Sequence, residues 1–165
     1  MQARQRAAHS RSWETAETVL GAAFLIGLML GLLHPLPLST WIPRVTSLLA
    51  GTVLAGAGVA VVIIARRQFR EASQPTDPGR PTTRLMTGGI FGWSRNPLYL
   101  GGVLTFLGVA ALLNSLWLLA LAIPTVAAVH LILIAPEERY LAAKFGQAYD
   151  DYARSVHRWI GRSRL

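Results

Sequence analysis

The sequence predicts an all-α integral membrane protein with four transmembrane helices and an amphipathic helix toward the C-terminal end. Three observations predict it. Hydrophobic residues make up 52% of the chain and charged residues only 15%, with mean hydropathy +0.39, whereas a soluble chain carries about a quarter charged residues. The apolar residues gather into runs separated by polar or proline-rich breaks. Every Lys and Arg except Arg44 falls on segments that four spans place on one side of a membrane. A length of 165 residues suits a single domain covering 1–165.

The elements follow in order. Residues 1–14 are polar and carry Arg4, Arg6 and Arg11. The apolar run 16–33 is too long for a signal peptide and lacks an A-x-A cleavage site, so it reads as a first span. Trp13 and Trp41 bracket it at opposite interfaces, and Gly27 and Gly31 form a GxxxG pair that admits a neighbouring helix. Residues 34–43 hold three prolines and read as a loop. The run 45–65 is long enough to cross a core of about 30 Å, with a small-residue stripe at Gly51, Ala55 and Gly58. Residues 66–84 read as a basic polar loop. The runs 98–113 and 116–134, broken at Asn114 and Ser115, predict an antiparallel hairpin with a kink at Pro124. In the segment 137–158, Leu141, Phe145, Tyr149, Tyr152 and Val156 recur at helical spacing, and Gly146 weakens or splits that helix. The basic excess places both termini and the 66–84 loop in the cytoplasm, with the protein in the inner membrane.

Chemistry concentrates at two places. The stretch 87–102, TGGIFGWSRNPLYLGG, stands where the basic loop meets an apolar run. Its glycines allow close backbone approach, Pro97 suits a first helical turn, and Arg95 and Asn96 put a cation and an amide at the helix mouth. The exposed N–H groups of such a turn attract anions. A snorkelling Arg at a helix start, with Trp93 and Tyr99 in an aromatic belt, accounts for the same residues without any ligand. The second place is His130, Glu137 and Glu138. Ionisable groups in a span are costly and usually functional. His130 lies seven residues before Glu137, about two helical turns, so both face a similar way. The two carboxylates sit at the predicted end of the fourth helix, against its dipole, which calls for Arg95 or a cationic ligand to compensate them.

Other classes are set aside. No Cys means no disulfide and no thiolate chemistry. Despite a net charge of +8, no basic helix or zinc-finger spacing points to nucleic acid. One His and two adjacent Glu, which diverge by about 100° on a helix, make a poor metal set, so no metal is expected. Phosphate-loop, nucleophile-elbow and HExxH signatures are absent from the sequence.

At these residues the chain resembles a known family. SRNPLYLGG is similar to the R-[HN]-P-x-Y-x-G motif of the isoprenylcysteine carboxyl methyltransferase and phospholipid methyltransferase superfamily. His130 followed by PEERYLAAKFGQAYDDYARSVHRWI resembles its H…EExxLxxxFGxxYxxYxxxVxRW tail. Together the motifs cover about residues 83–160. The resemblance implies an integral membrane enzyme that uses S-adenosylmethionine and releases S-adenosylhomocysteine. Carried over by position, the cofactor site comprises Thr83, Arg84, Leu85, Met86, Phe91, Asn96, Pro97, Leu98, Tyr99, His130 and Glu137. Arg95, Asn96, Tyr99 and Glu138 are the residues expected nearest the reaction. The cofactor's ammonium and sulfonium suit Glu137 or Glu138. Its carboxylate suits Arg95, His130 or the helix start after Asn96, and its adenine suits Leu85, Met86 and Phe91.

The sequence also departs from that pattern. Gly89, Ile90 and Phe91 stand where Gly-Pro-Tyr is common, and Asn96 replaces the commoner His. Leu133 stands where the prenylcysteine enzymes carry an Arg linked to the substrate carboxyl, so a prenylcysteine substrate does not follow. The implied reaction is direct in-line methyl transfer to a lipophilic or lipid amine, thiol or carboxylate reaching the site from the bilayer, with no general base assigned. Three other classes stand as alternatives: a sterol-type membrane reductase using NADPH, a non-catalytic membrane protein that keeps the fold, and a small transporter, for which the intramembrane charges are too few to make a proton relay.

Overall fold

The computed structural model describes residues 15–73 and 83–163. Readings that rest on Arg4, Arg6, Arg11, Trp13, Arg80 and Arg164 lie outside these. The described residues are helical, with no strand among them.

Helix α1 spans Ala16–Leu33. Thr15 caps it, its hydroxyl accepting from the Thr18 N–H at 3.2 Å, which satisfies one of the open donors of the first turn. A 3-10 turn at Leu38–Thr40 occupies the proline-rich loop. Helix α2 spans Arg44–Glu71, six residues beyond the predicted end at 65. The polar residues there read as loop but stay helical: Arg67 donates to Glu71 at 2.9 Å across one turn, and Phe69 packs edge-on against Phe91 at 5.0 Å.

Helix α3, Pro97–Leu112, lies against α2 along two glycine pairs. A Cβ on Gly101 would meet the Gly58 carbonyl at 2.7 Å, and one on Gly51 would meet the Gly108 carbonyl at 2.9 Å. The backbones touch at both levels, so any side chain there pries the helices apart. On its other side α3 meets α1 and helix α4, Leu116–Ala128. Phe106, Ala110, Leu118 and Ala122 form the core there, with Leu20, Ala23 and Phe24 of α1 against them. Gly27, from the predicted GxxxG pair, leaves room for the Leu118 side chain.

The fourth apolar run does not stop at residue 134. Helix α4 passes through a π-turn, Val129–Ile134, directly into helix α5, Ala135–Phe145. Pro124, where a kink is expected, lies inside α4, and the irregular turn comes later, ending two residues before Pro136. A proline ring presses on the carbonyl four residues back and removes one donor, and a widened turn accommodates both. Glu137 and Glu138 therefore occupy the first turn of α5, not a helix C-terminus, and the dipole argument for compensating them does not apply.

Gly146, at φ +53°, separates α5 from helix α6, Gln147–Ser155. The spacing read from the sequence still holds. Tyr149, Tyr152 and Val156 are buried together, with Leu141 and Phe145 against them, but Leu85 of the preceding loop covers them. That apolar face packs on protein instead of lying on a membrane surface.

Three helical stretches are long and apolar enough to cross a membrane: α1, α2 and the continuous α4–α5 rod. Helix α3 is apolar but has 16 residues, about 24 Å, short of a hydrocarbon core of about 30 Å. Large apolar side chains point outward on these helices, among them Leu32, Val53, Ile123 and Leu131. Such a surface suits lipid and is unfavourable in water.

Candidate functional site

The site is built on the turn that leads into α3. A 3-10 turn at Gly89–Gly92 starts from Gly89 at φ +59°, where the Gln68 side chain leaves no room for a Cβ. Gln68 accepts from the Ile90 N–H at 3.3 Å, and the buried Tyr152 hydroxyl donates to the Phe91 carbonyl at 2.7 Å. Residues 156–163 fold back on the same turn. The Gly161 N–H donates to the Trp93 carbonyl at 2.8 Å, and the Arg95 N–H donates to the His157 carbonyl at 3.1 Å. The Arg158 carbonyl accepts from the Ser94 hydroxyl at 3.4 Å and from the Asn96 amide at 3.2 Å.

Asn96 stands at the mouth of α3 as expected, without capping it through its side chain; it is buried and turned toward the tail. One expectation is corrected. Arg95 does not snorkel, since its side chain is only 13% exposed. Its Nη1 lies 3.4 Å from Glu138 Oε1 and donates to the Tyr149 hydroxyl at 3.3 Å, while its buried Nε has no partner among the described residues. Burial pushes the Tyr149 phenol above its ordinary pKa, so it stays protonated.

Glu138 is held more tightly by a residue that sequence reasoning missed. Arg158 grips it with both arms, Nε to Oε1 at 3.0 Å and Nη2 to Oε2 at 2.8 Å. The hydrogen bond to Glu138 raises the guanidinium's already high pKa. One carboxylate thus serves two guanidiniums, leaving the triad a net charge of +1. Arg158 lies 20 residues from Glu138, so helical spacing cannot pair them; its only sequence signal is its place in the SVHRWI tail.

Glu137 has different surroundings. The Tyr99 hydroxyl donates to its Oε2 at 2.9 Å, and no cation among the described residues makes an ion pair with it. Of two adjacent carboxylates, Glu138 is neutralised twice over and Glu137 not at all.

The other expected residues fall nearby or apart. Arg84, Leu85 and Met86 line a cleft of ≈ 490 Å³ together with Gln68 and Glu71 at the end of α2. Leu85 belongs both to this wall and to the cluster around Tyr149 and Tyr152, whereas Thr83 is exposed just before it. Phe91 is buried beneath the turn, Pro97 is buried at the start of α3, and Leu98 follows it, half-buried. His130 sits half-buried in the π-turn, where its carbonyl accepts from the Ala135 N–H, and its side chain has no hydrogen bond or ion pair with Arg95. Leu133 is fully buried among Val129 and Ile134, an apolar place unsuited to a substrate carboxyl.

The arrangement holds a carboxylate with no ion pair among the described residues, a buried guanidinium N–H to spare and a cleft of mixed polar and apolar lining at the end of α2. The family profile described as phospholipid methyltransferase matches residues 46–148. The nickel-cobalt-cadmium resistance protein NccN of Alcaligenes xylosoxydans xylosoxydans is 31% identical over 87 residues, 53% of this chain and 40% of that protein. The cobalt-zinc-cadmium resistance protein CzcN of Cupriavidus metallidurans is 32% identical over 87 residues, with the same coverage of 53% and 40%. The chain therefore matches less than half the length of these curated relatives. No solved structure matches.

Proposed function

Because this chain belongs to the phospholipid methyltransferase family, we propose that it transfers a methyl group from S-adenosylmethionine to an acceptor dissolved in the membrane. The acceptor is an amine, thiol or carboxylate on a lipid-like molecule. One observation carries the cofactor reading: Glu137 is a carboxylate within the α4–α5 rod that has a phenol for company and no ion pair with a cation among the described residues.

The side chains fit the group that the family implies. Glu137, oriented by Tyr99, suits its ammonium or sulfonium. Arg95 has a buried donor to spare for its carboxylate. Leu85 and Met86 offer apolar walls in a cleft whose ≈ 490 Å³ lies within the range of sites for small molecules, about 300–1,000 Å³. When bound, S-adenosylmethionine supplies a methyl group already made electrophilic by its sulfonium, so no covalent enzyme intermediate is required. The protein's part is to align, to exclude water and to hold fixed charges in place. Tyr99 and Glu137 keep a carboxylate in one orientation, and the Arg95–Glu138–Arg158 triad keeps a positive field near the start of α3.

We place the three long helices and α3 in the bilayer, as four spans, with the site on the cytoplasmic side. Arg66, Arg67, Arg70, Arg95, Arg139, Arg154 and Arg158 favour that side, while Arg44 binds the opposite end of α3. The test of this reading is a calorimetric titration with S-adenosylhomocysteine and with NADPH. Saturable binding of the first alone supports methyl transfer, and the reverse preference moves the chain to the reductases.

A further inference from the structure

We propose that Arg158 is a positioning residue that keeps Arg95 available to an anion, namely the carboxylate of the cofactor's amino-acid part. This rests on the cofactor reading above. The reasoning starts from the unequal sharing of Glu138. Arg158 takes both carboxylate oxygens, at 3.0 and 2.8 Å, while Arg95 reaches one of them at 3.4 Å with a single nitrogen. A planar guanidinium and a carboxylate left to themselves form a two-armed pair. Arg95 and Glu138 are both largely buried and close enough to do so, and the place is already filled by Arg158. Arg95 consequently retains a buried Nε without a partner among the described residues. The triad retains one positive charge that an Arg95–Glu138 pair alone would lack.

Arg158 is well placed for this task. Its carbonyl anchors Ser94 and Asn96 on either side of Arg95, and its side chain occupies Glu138. The anchoring is a backbone property, so a side-chain change at 158 leaves it in place. The electrostatic part is lost with the guanidinium. Without it, Arg95 closes onto Glu138, the pair becomes neutral, and the anion subsite vanishes while the apolar walls of Leu85 and Met86 in the cleft persist.

The experiment compares two ligands in wild type, Arg158→Met and Arg158→Lys. S-adenosylhomocysteine carries the amino-acid carboxylate; 5′-methylthioadenosine is the same nucleoside thioether without the amino-acid part. Loss of a charge-assisted hydrogen bond should weaken S-adenosylhomocysteine binding roughly ten- to a hundredfold in Arg158→Met. Binding of 5′-methylthioadenosine should change less than about twofold, a difference within the ordinary range for surface substitutions. Arg158→Lys should recover part of the loss, because it keeps the charge without the two-armed grip. Equal weakening of both ligands would show a merely structural role and overturn the inference, as would unchanged binding of both. Should Arg158→Met not fold, the same comparison with Arg158→Lys decides. Wild type that binds 5′-methylthioadenosine as tightly as S-adenosylhomocysteine has no carboxylate subsite, which also overturns it. Wild type that binds neither overturns the cofactor reading itself, and this inference with it.

Discussion

The two ends of α3 are both rich in polar groups, and they use them differently. At the C-terminal end Arg44 donates to the Ala111 carbonyl at 3.2 Å and to the Leu112 carbonyl at 2.8 Å. Asn114, at φ +56°, accepts from the Ser39 N–H at 2.8 Å and donates to the Ser39 hydroxyl at 3.0 Å. The Trp117 ring N–H donates to the His34 carbonyl at 2.7 Å. These groups satisfy one another and tie the α1–α2 loop to the α3–α4 turn as a knot would. At the N-terminal end the bonding is as dense, yet among the described residues it leaves Arg95 Nε without an acceptor and Glu137 without a cation. A knot needs nothing more, whereas a site keeps complementary charges for something that arrives.

That contrast can be broken from either end. The largest effect is expected for Glu138→Ala, which strands two guanidiniums, one of them buried. Removing one partner of a buried ion pair costs about 3–5 kcal/mol, so thermal unfolding should fall sharply and binding of S-adenosylhomocysteine should fall with it. A variant as stable as wild type would mean that the triad holds nothing together. Next, Arg44→Met should lose about 1.5–3 kcal/mol of stability, the value of hydrogen bonds to a charged group, while its ligand affinity stays that of wild type. A changed affinity there would erase the distinction between the ends. The smallest effect is expected for Tyr99→Phe. It removes one hydrogen bond to Glu137 and should shift the ligand's dissociation constant by up to about tenfold, with little change in unfolding temperature.

The sequence shows the apolar runs plainly, because their length and composition leave few alternatives. The break at Asn114 and Ser115 is equally plain, since Asn tolerates the left-handed backbone that a tight turn needs. The spacing of Tyr149, Tyr152 and Val156 marks a buried face whether or not Gly146 interrupts the helix. What covers that face was not legible: Leu85 comes from a loop more than sixty residues earlier. The continuation of α2 to Glu71 was hidden because charge reads as loop, while the helix is kept by contacts of Gln68 and Phe69 with a distant turn. The π-turn was hidden for the opposite reason, because an unbroken apolar run gives no sign of where its hydrogen bonding changes. Among the site residues, the sequence marks Arg95, Glu137 and Glu138 as charged groups needing partners. Which carboxylate is satisfied depends on Arg158, and that pairing exists only in three dimensions.

The central claim is that Glu137 is the carboxylate reserved for a cationic ligand. Glu137→Gln keeps the shape and can still accept from the Tyr99 hydroxyl, so the fold should survive. A thermal-shift titration with S-adenosylhomocysteine reads the affinity directly, since a ligand stabilises the folded state by mass action. Loss of the charge should move the titration midpoint roughly ten- to a hundredfold toward higher ligand concentration. The same midpoint in wild type and Glu137→Gln would contradict the account and leave Glu137 a carboxylate that only its tyrosine needs.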